Sequence, residues 1–369
     1  MSGIGPGEAD CVNSRERVLT TLRHEEPDRV PLDFWWSHET KDKLLAHLGL
    51  RNTDELQAYL GVDLRGVYPP YIGPALRRLP DGSYEDFWGV FRTPYAHNMG
   101  GEYDEVLHPP LAEATSIDDI EKLRWPDPDW FDYAALAEQC DHYRDYAIIV
   151  GRMGRECQTL FIQLWYYRGL EQILLDFIER PAFVHALIAR IMRFRIEHLK
   201  RILAVAKGKA HILQLADDYG SQDGPLLSRR MWREFFAPHL QTMADMAHDA
   251  GLYVFLHCDG GIRPLLPDLI ELGVDILNPV QPHATGMEPA GLKRDFGDRL
   301  TFHGGIDTQQ TLPFGTPAQV ADEVRQRIEV LGRGGGYILA PVHTVEPDVP
   351  LENILTVYRA ARAENRQIV

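Results

Sequence analysis

From residue 145 onward, short β-branched or apolar runs alternate with longer stretches in which apolar positions recur every three or four residues. Strands buried on both faces read as continuous apolar runs, and helices packed on one side read with a 3.6-residue period. The alternation therefore predicts repeated βα units around a parallel sheet. Six strands are predicted in this way, over 147–150, 212–216, 252–256, 275–280, 300–302 and 337–340. Two more fit at 29–35 and 63–68, although Pro31, which lacks an N–H, puts an edge-like constraint on the first. Eight such strands close a barrel, so the predicted fold class is α/β, a (β/α)8 TIM barrel.

The helix that starts near Thr316 has the clearest signals, with Thr316 as N-cap, Pro317 at the first helical position and Gln319 completing a capping box. Val320, Val324, Ile328 and Leu331 form its apolar stripe, and Gly332 ends it. A second helix over about 182–203 places Phe183, Leu187 and Ile191 on its inward face. Residues 70–130 break the alternation, being rich in Pro, Trp, Tyr and acidic residues. A stretch of that length is read as an insertion forming a lid or side wall over the barrel mouth. With no internal repeat and no long linker, residues 15–369 are expected to form one domain, preceded by a disordered tail at 1–14.

Charge narrows the function. The 38 basic and 54 acidic residues give a formal net charge of −16, whereas a general nucleic-acid or anionic-membrane binder needs a basic face. A small-molecule substrate fits better. No apolar stretch approaches the roughly 20 residues that cross a bilayer, and the first fourteen residues lack the basic and apolar regions of a signal peptide. The four cysteines, at 11, 140, 157 and 258, form neither a disulfide scaffold nor a CxxC knuckle. A cytoplasmic location is expected.

Barrel enzymes place reactive groups where strands end, because the βα loops converge on that face. Five successive predicted strand ends carry His or Asp: Asp217 and Asp218; His257 and Asp259; Gln281 and His283; His303 and Asp307; and His343. In HCDGG at 257–261, His257 and Asp259 are two apart on extended backbone and point to the same side, while Cys258 between them faces away. With His343 they offer three ligands to a divalent metal and leave a position open. Two imidazoles and a carboxylate suit zinc, iron or manganese alike. The other reading, in which His257 and His343 are hydrogen-bonded rim residues that bind nothing, stays open. Asp217 and Asp218 point oppositely, so one fixes a loop or caps a helix while the other, Asp218, faces the cavity. Trp35 and Trp36 are candidates to line an apolar pocket.

The segments at 15–36, 87–91, 214–228, 255–282, 301–313 and 335–353 together resemble the uroporphyrinogen decarboxylase superfamily. The resemblance covers nearly the whole chain after residue 14 and implies a somewhat distorted barrel. That superfamily contains cofactor-independent porphyrinogen decarboxylases and zinc methyltransferases that exchange methyl groups with a corrinoid carried on a partner protein; homodimers are common in it. The decarboxylases carry an N-terminal Arg-Gln-Ala-Gly-Arg-Tyr signature that grips carboxylates, whereas the corresponding region here reads DFWWSHETKDKLL. The methyltransferase branch holds zinc with His-x-Cys and a later Cys, and the matching positions here are His257, Asp259 and His343. The harder ligand set makes a stronger Lewis acid, suited to an ether or alcohol oxygen. The resemblance thus implies an O-demethylase-type methyltransferase, with Asp218 or His303 as acid and Gln281, His283 and Asp307 orienting the substrate. A decarboxylase acting on another acid, or a ligand-binding relative without catalysis, are the alternatives.

Overall fold

The computed structural model describes residues 12–152 and 160–364. Cys11, Cys157 and residues 1–11 of the expected tail lie outside them. Among the described residues ten strands are formed: β1 Leu64–Val67, β2 Tyr84–Glu85, β3 Phe91–Ala96, β4 Glu102–His108, β5 Ala147–Val150, β6 Ile212–Ala216, β7 Tyr253–His257, β8 Ile276–Val280, β9 Thr301–Ile306 and β10 Tyr337–Pro341. Seven of them make one parallel sheet in the order β1-β5-β6-β7-β8-β9-β10.

The expected strand at 29–35 is not a regular strand. It forms only isolated parallel bridges, Leu32 to Leu339 and Trp36 to Val345. Pro31 has no N–H, so the segment pairs through a few groups: Asp33 N–H donates to Leu339 O (2.9 Å), Leu339 N–H to Pro31 O (2.9 Å) and Asp63 N–H to Leu32 O (2.9 Å). Because it bonds β10 on one side and the entry to β1 on the other, it occupies the eighth wall position. The sheet thereby curls into a distorted (β/α)8 barrel.

Period-two alternation divides the strand residues between two cores. Leu64, Ile149, Ile212, Phe255, Ile276 and Ile338 fill the barrel interior together with Trp35 and with Val18 and Leu22 of the helix Ser14–Leu22, which plugs the N-terminal end. Leu213, Leu215, Val254, Leu256, Leu277, Phe302 and Leu339 face the opposite way, into the larger core beneath the outer helices. Among those helices, Pro317–Arg327 has the reciprocal capping box between Thr316 and Gln319, and Pro181–Ala206 buries Phe183, Leu187 and Ile191.

The sequence between β1 and β5 folds partly into an antiparallel sheet of its own, β2-β3-β4. Its β3–β4 hairpin reaches the barrel mouth, where the Tyr103 hydroxyl donates to Glu346 Oε1 (2.5 Å) in the segment after β10.

Candidate metal centre at the barrel mouth

Two residues beyond inward-facing buried positions, the same strands carry polar groups. Phe255 is followed by His257, Ile276 by Asn278 and Thr301 by His303, so the period that fills the core also aims these side chains inward, one layer nearer the mouth. His257 closes β7, and Asp259 lies just past it on the loop. His343 comes from the segment after β10. One donor atom each from His257, Asp259 and His343 lies within 4.8 Å of the others. Asp259 Oδ2 is 3.9 Å from His257 Nε2 and 3.8 Å from His343 Nε2. A tetrahedral ion with metal–ligand bonds near 2.1 Å separates its ligands by about 3.4 Å, so the three donors need only small rotamer adjustments to share one. The His257 side chain is nearly buried, while those of Asp259 and His343 are 32% and 38% exposed, which leaves a face open to solvent and ligand.

The neighbouring groups divide as follows. Asp218 Oδ1 lies 4.0 Å from His257 Nε2 and accepts from the Asp259 N–H (3.0 Å), which holds the HCDGG loop in place. Asp217 turns the other way and is fully enclosed. It accepts from the N–H groups of Leu160, Phe161 and Ile162 at 2.7–2.9 Å, the free donors at the start of the helix Phe161–Arg168. Burial nevertheless pushes the Asp217 carboxyl up to about 6, against the pull of those donors. Cys258 is buried in the outer core, where its sulfur accepts from Tyr219 N–H; burial raises its thiol well above the ordinary value. It takes no part in the cluster.

Gln281 stands on the cavity wall and fixes the loop by accepting from Gly260 N–H (2.9 Å). His283 and Asp307 form a pair to one side, with His283 Nε2 3.2 Å from Asp307 Oδ2. The buried Asp307 carboxylate is already taken up by the N–H groups of Gln309, Gln310 and Thr311. It caps the turn after β9 and so fixes that loop. The position of His303, expected just past the end of its strand as a candidate acid, needs correction. β9 runs on to Ile306, which leaves His303 inside the strand, with no exposure and both ring nitrogens engaged.

A cavity of about 470 Å³ opens above the cluster. Asp259, Gln281 and His343 lie on its floor side, and Asn98, Met99 and Tyr103 of the β3–β4 hairpin line it as well. Glu346 and Asp348 add negative charge, and among the described lining residues there is no Lys or Arg. Trp35 and Trp36 line a second, adjoining pocket of about 670 Å³ with Arg65 and Arg152. Tyr103 lies in no motif and Glu346, although within 335–353, carries no chemical signal there, so the pair shows only through the fold.

The family model for uroporphyrinogen decarboxylase (URO-D) matches residues 87–364. The chain belongs to this family. Its similarity runs to members with two different activities. It is 28% identical over 161 residues to the methylcobamide:CoM methyltransferase MtaA of Methanosarcina barkeri, a match covering 44% of each chain. It is 30% identical over 183 residues to the methylated-thiol–coenzyme M methyltransferase of Methanosarcina mazei, covering 49% of this chain and 45% of that one. The chain thus aligns with less than half the length of these methyltransferases. It is 24% identical over 277 residues to the uroporphyrinogen decarboxylase of Shewanella denitrificans, covering 72% of this chain and 74% of the relative. A solved methyltransferase structure from Methanosarcina mazei superposes with a TM-score of 0.63 over 96% of this chain and 99% of that one, at 20% identity, and so shares the barrel fold. Among the described residues no helix is long and apolar enough to cross a membrane.

Proposed function

We propose that this member of the uroporphyrinogen decarboxylase family is a metal-dependent methyltransferase of the O-demethylase type. It takes a methyl group from a small methoxylated compound and delivers it to a corrinoid on a partner protein. The observation that carries the reading is the convergence of His257, Asp259 and His343 at the mouth of the barrel. These three residues would hold a divalent ion, with zinc favoured by the resemblance to the zinc methyltransferase branch. When bound, the ion supplies Lewis acidity at a donor oxygen.

The chain's own groups supply the rest. Asp218 would give a proton to the departing oxygen; its partial exposure beside His257 supports this role. Gln281 offers an amide to the substrate from the wall, and the β3–β4 hairpin narrows the entrance and limits water. The cavity's carboxylates and its lack of described cations suit a neutral or cationic donor. They oppose a substrate bearing several carboxylates, which would need paired arginines.

The decarboxylase reading keeps one point in its favour, the longer alignment with the decarboxylase relatives. Two assays separate the readings. Elemental analysis of the purified protein should find about one equivalent of zinc or another divalent metal, lost in His257→Ala. Cob(I)alamin with a methoxylated aromatic should give methylcobalamin only with the metal-loaded protein. Absence of metal from the wild type, or carbon dioxide release from a porphyrinogen without metal, would remove the methyltransferase reading.

A further inference from the structure

Beneath the metal cluster, the buried side chains of Asp33, His303, Asn278 and His257 form one hydrogen-bonded row from the eighth wall position to the mouth. The protons along it can be placed from one end. Asp33 has no exposure, and its carboxylate oxygens meet four donors: Arg152 Nη2 (2.6 Å) and Phe34 N–H (2.8 Å) on Oδ1, Trp35 Nε1 (3.0 Å) and His303 Nε2 (3.0 Å) on Oδ2. A carboxylate so surrounded is ionised and can only accept. Burial opposes its charge, but Arg152 and His303 outweigh burial and hold it at about 2.

His303 therefore carries its proton on Nε2. Burial, reinforced by Arg152 and His257 and opposed by Asp33, lowers its pKa and favours the neutral ring. Its Nδ1 is then a lone pair and accepts from Asn278 Nδ2 (2.7 Å). The amide oxygen of Asn278 is thereby turned to His257 Nδ1 (2.5 Å), where it can only accept. A flipped amide would demand a second proton on His303, a cation with no exposure. His257 must hold a proton on Nδ1, which leaves Nε2, facing Asp259 and Asp218, as its ligand nitrogen.

We propose that Asp33 is a positioning residue which, through His303 and Asn278, fixes the tautomer of His257 so that Nε2 faces the cavity as a free ligand nitrogen. The functional meaning of this rests on the metal reading above, but the tautomer itself does not. Partners on the far ring nitrogen of a ligating His typically set metal affinity by 10- to 100-fold.

The test uses the full-length, metal-free protein labelled with ¹⁵N-histidine. Long-range ¹H–¹⁵N correlation distinguishes the two neutral tautomers, and His257→Gln identifies the His257 signals. The wild type should show a protonated Nδ1 and an unprotonated Nε2 at His257. His303→Leu should mix the tautomers and weaken zinc binding, measured against a chromophoric chelator, by about 10- to 100-fold. His303→Gln should restore both, because its amide N–H can reach Asp33 while its amide oxygen accepts from Asn278. The proposal is overturned if the wild type holds its proton on Nε2, if a folded His303→Leu keeps the wild-type tautomer and affinity, or if His303→Gln is as impaired as His303→Leu. A wild type with the expected tautomer that binds no zinc would remove the metal reading and leave this assignment standing.

Discussion

Asp217 and Asp218 show how adjacent residues of one type acquire unrelated tasks. The backbone turns one inward to the start of a helix and leaves the other partly exposed beside His257. Asp217→Ala leaves three helix-terminal N–H groups without an acceptor and should lower the unfolding free energy in urea by about 1–3 kcal/mol. Asp218→Asn should leave the urea midpoint close to wild type and cut the methyl-transfer rate by about 10²- to 10⁴-fold, the usual range for losing a general acid. Equal stability losses in the two variants would contradict this division. Asp33 adds a pH signature. Its folded pKa, about 2, lies below the roughly 3.9 of an unfolded aspartate, so its contribution is complete above about pH 4 and disappears as pH falls toward 2. That contribution is on the order of 2 kcal/mol. In acid titrations followed by circular dichroism, the stability gap between wild type and Asp33→Asn should close over this window; a gap constant from pH 6 to pH 2 would contradict the assignment.

Among the elements, the β3–β4 hairpin decides how the cavity is walled. Most of β4 is exposed, and the hairpin is tied to the barrel side by Tyr103 on Glu346. His97 Nε2 lies 3.6 Å from Glu346 Oε2, and its ring stacks on Tyr103. Tyr103→Phe removes the tie while keeping the ring. Hydrogen exchange should then quicken in β4 but not in β7 to β10, with a rise in KM larger than the fall in kcat; unchanged exchange in β4 would show that the tie does not hold the hairpin. This hairpin was also the least legible element. Its strands are wetted on both faces and show neither alternation nor an apolar run, so the sequence suggested only an irregular wall. The barrel strands were readable to within a few residues because burial on both faces leaves a continuous apolar signature. The segment at 29–35 carries that signature too, yet Pro31 withholds a ladder donor and reduces it to bridges. His257, Asp259 and His343 could be singled out because they follow apolar runs directly. His303 was misplaced by a strand that runs past it, and Asn278 was missed because one amide within an apolar run carries no motif.

At the scale of the whole molecule, the barrel is layered along its axis. Apolar side chains and the plugging helix fill the N-terminal end, the polar row from Asp33 to His257 lies above them, and the open cavity lies above that. This order lets a rigid core hold the donor atoms, and on the proposed reading it would couple metal binding to global stability, because an ion held by residues from the ends of β7 and β10 favours only the folded chain. At zinc 100-fold above its dissociation constant, the linkage is worth about 2.7 kcal/mol. A 369-residue chain has an unfolding entropy near 0.8 kcal/mol/K, so the expected rise in Tm is about 3–4 °C. The shift is modest because the protein is large, yet it lies well within the precision of calorimetry. His257→Ala and His343→Ala should each abolish most of it, whereas Cys258→Ala, whose sulfur faces the outer core, should retain it in full even if its starting Tm is lower. Loss of the shift in Cys258→Ala, or its survival in both histidine variants, would place the bound ion elsewhere on the chain.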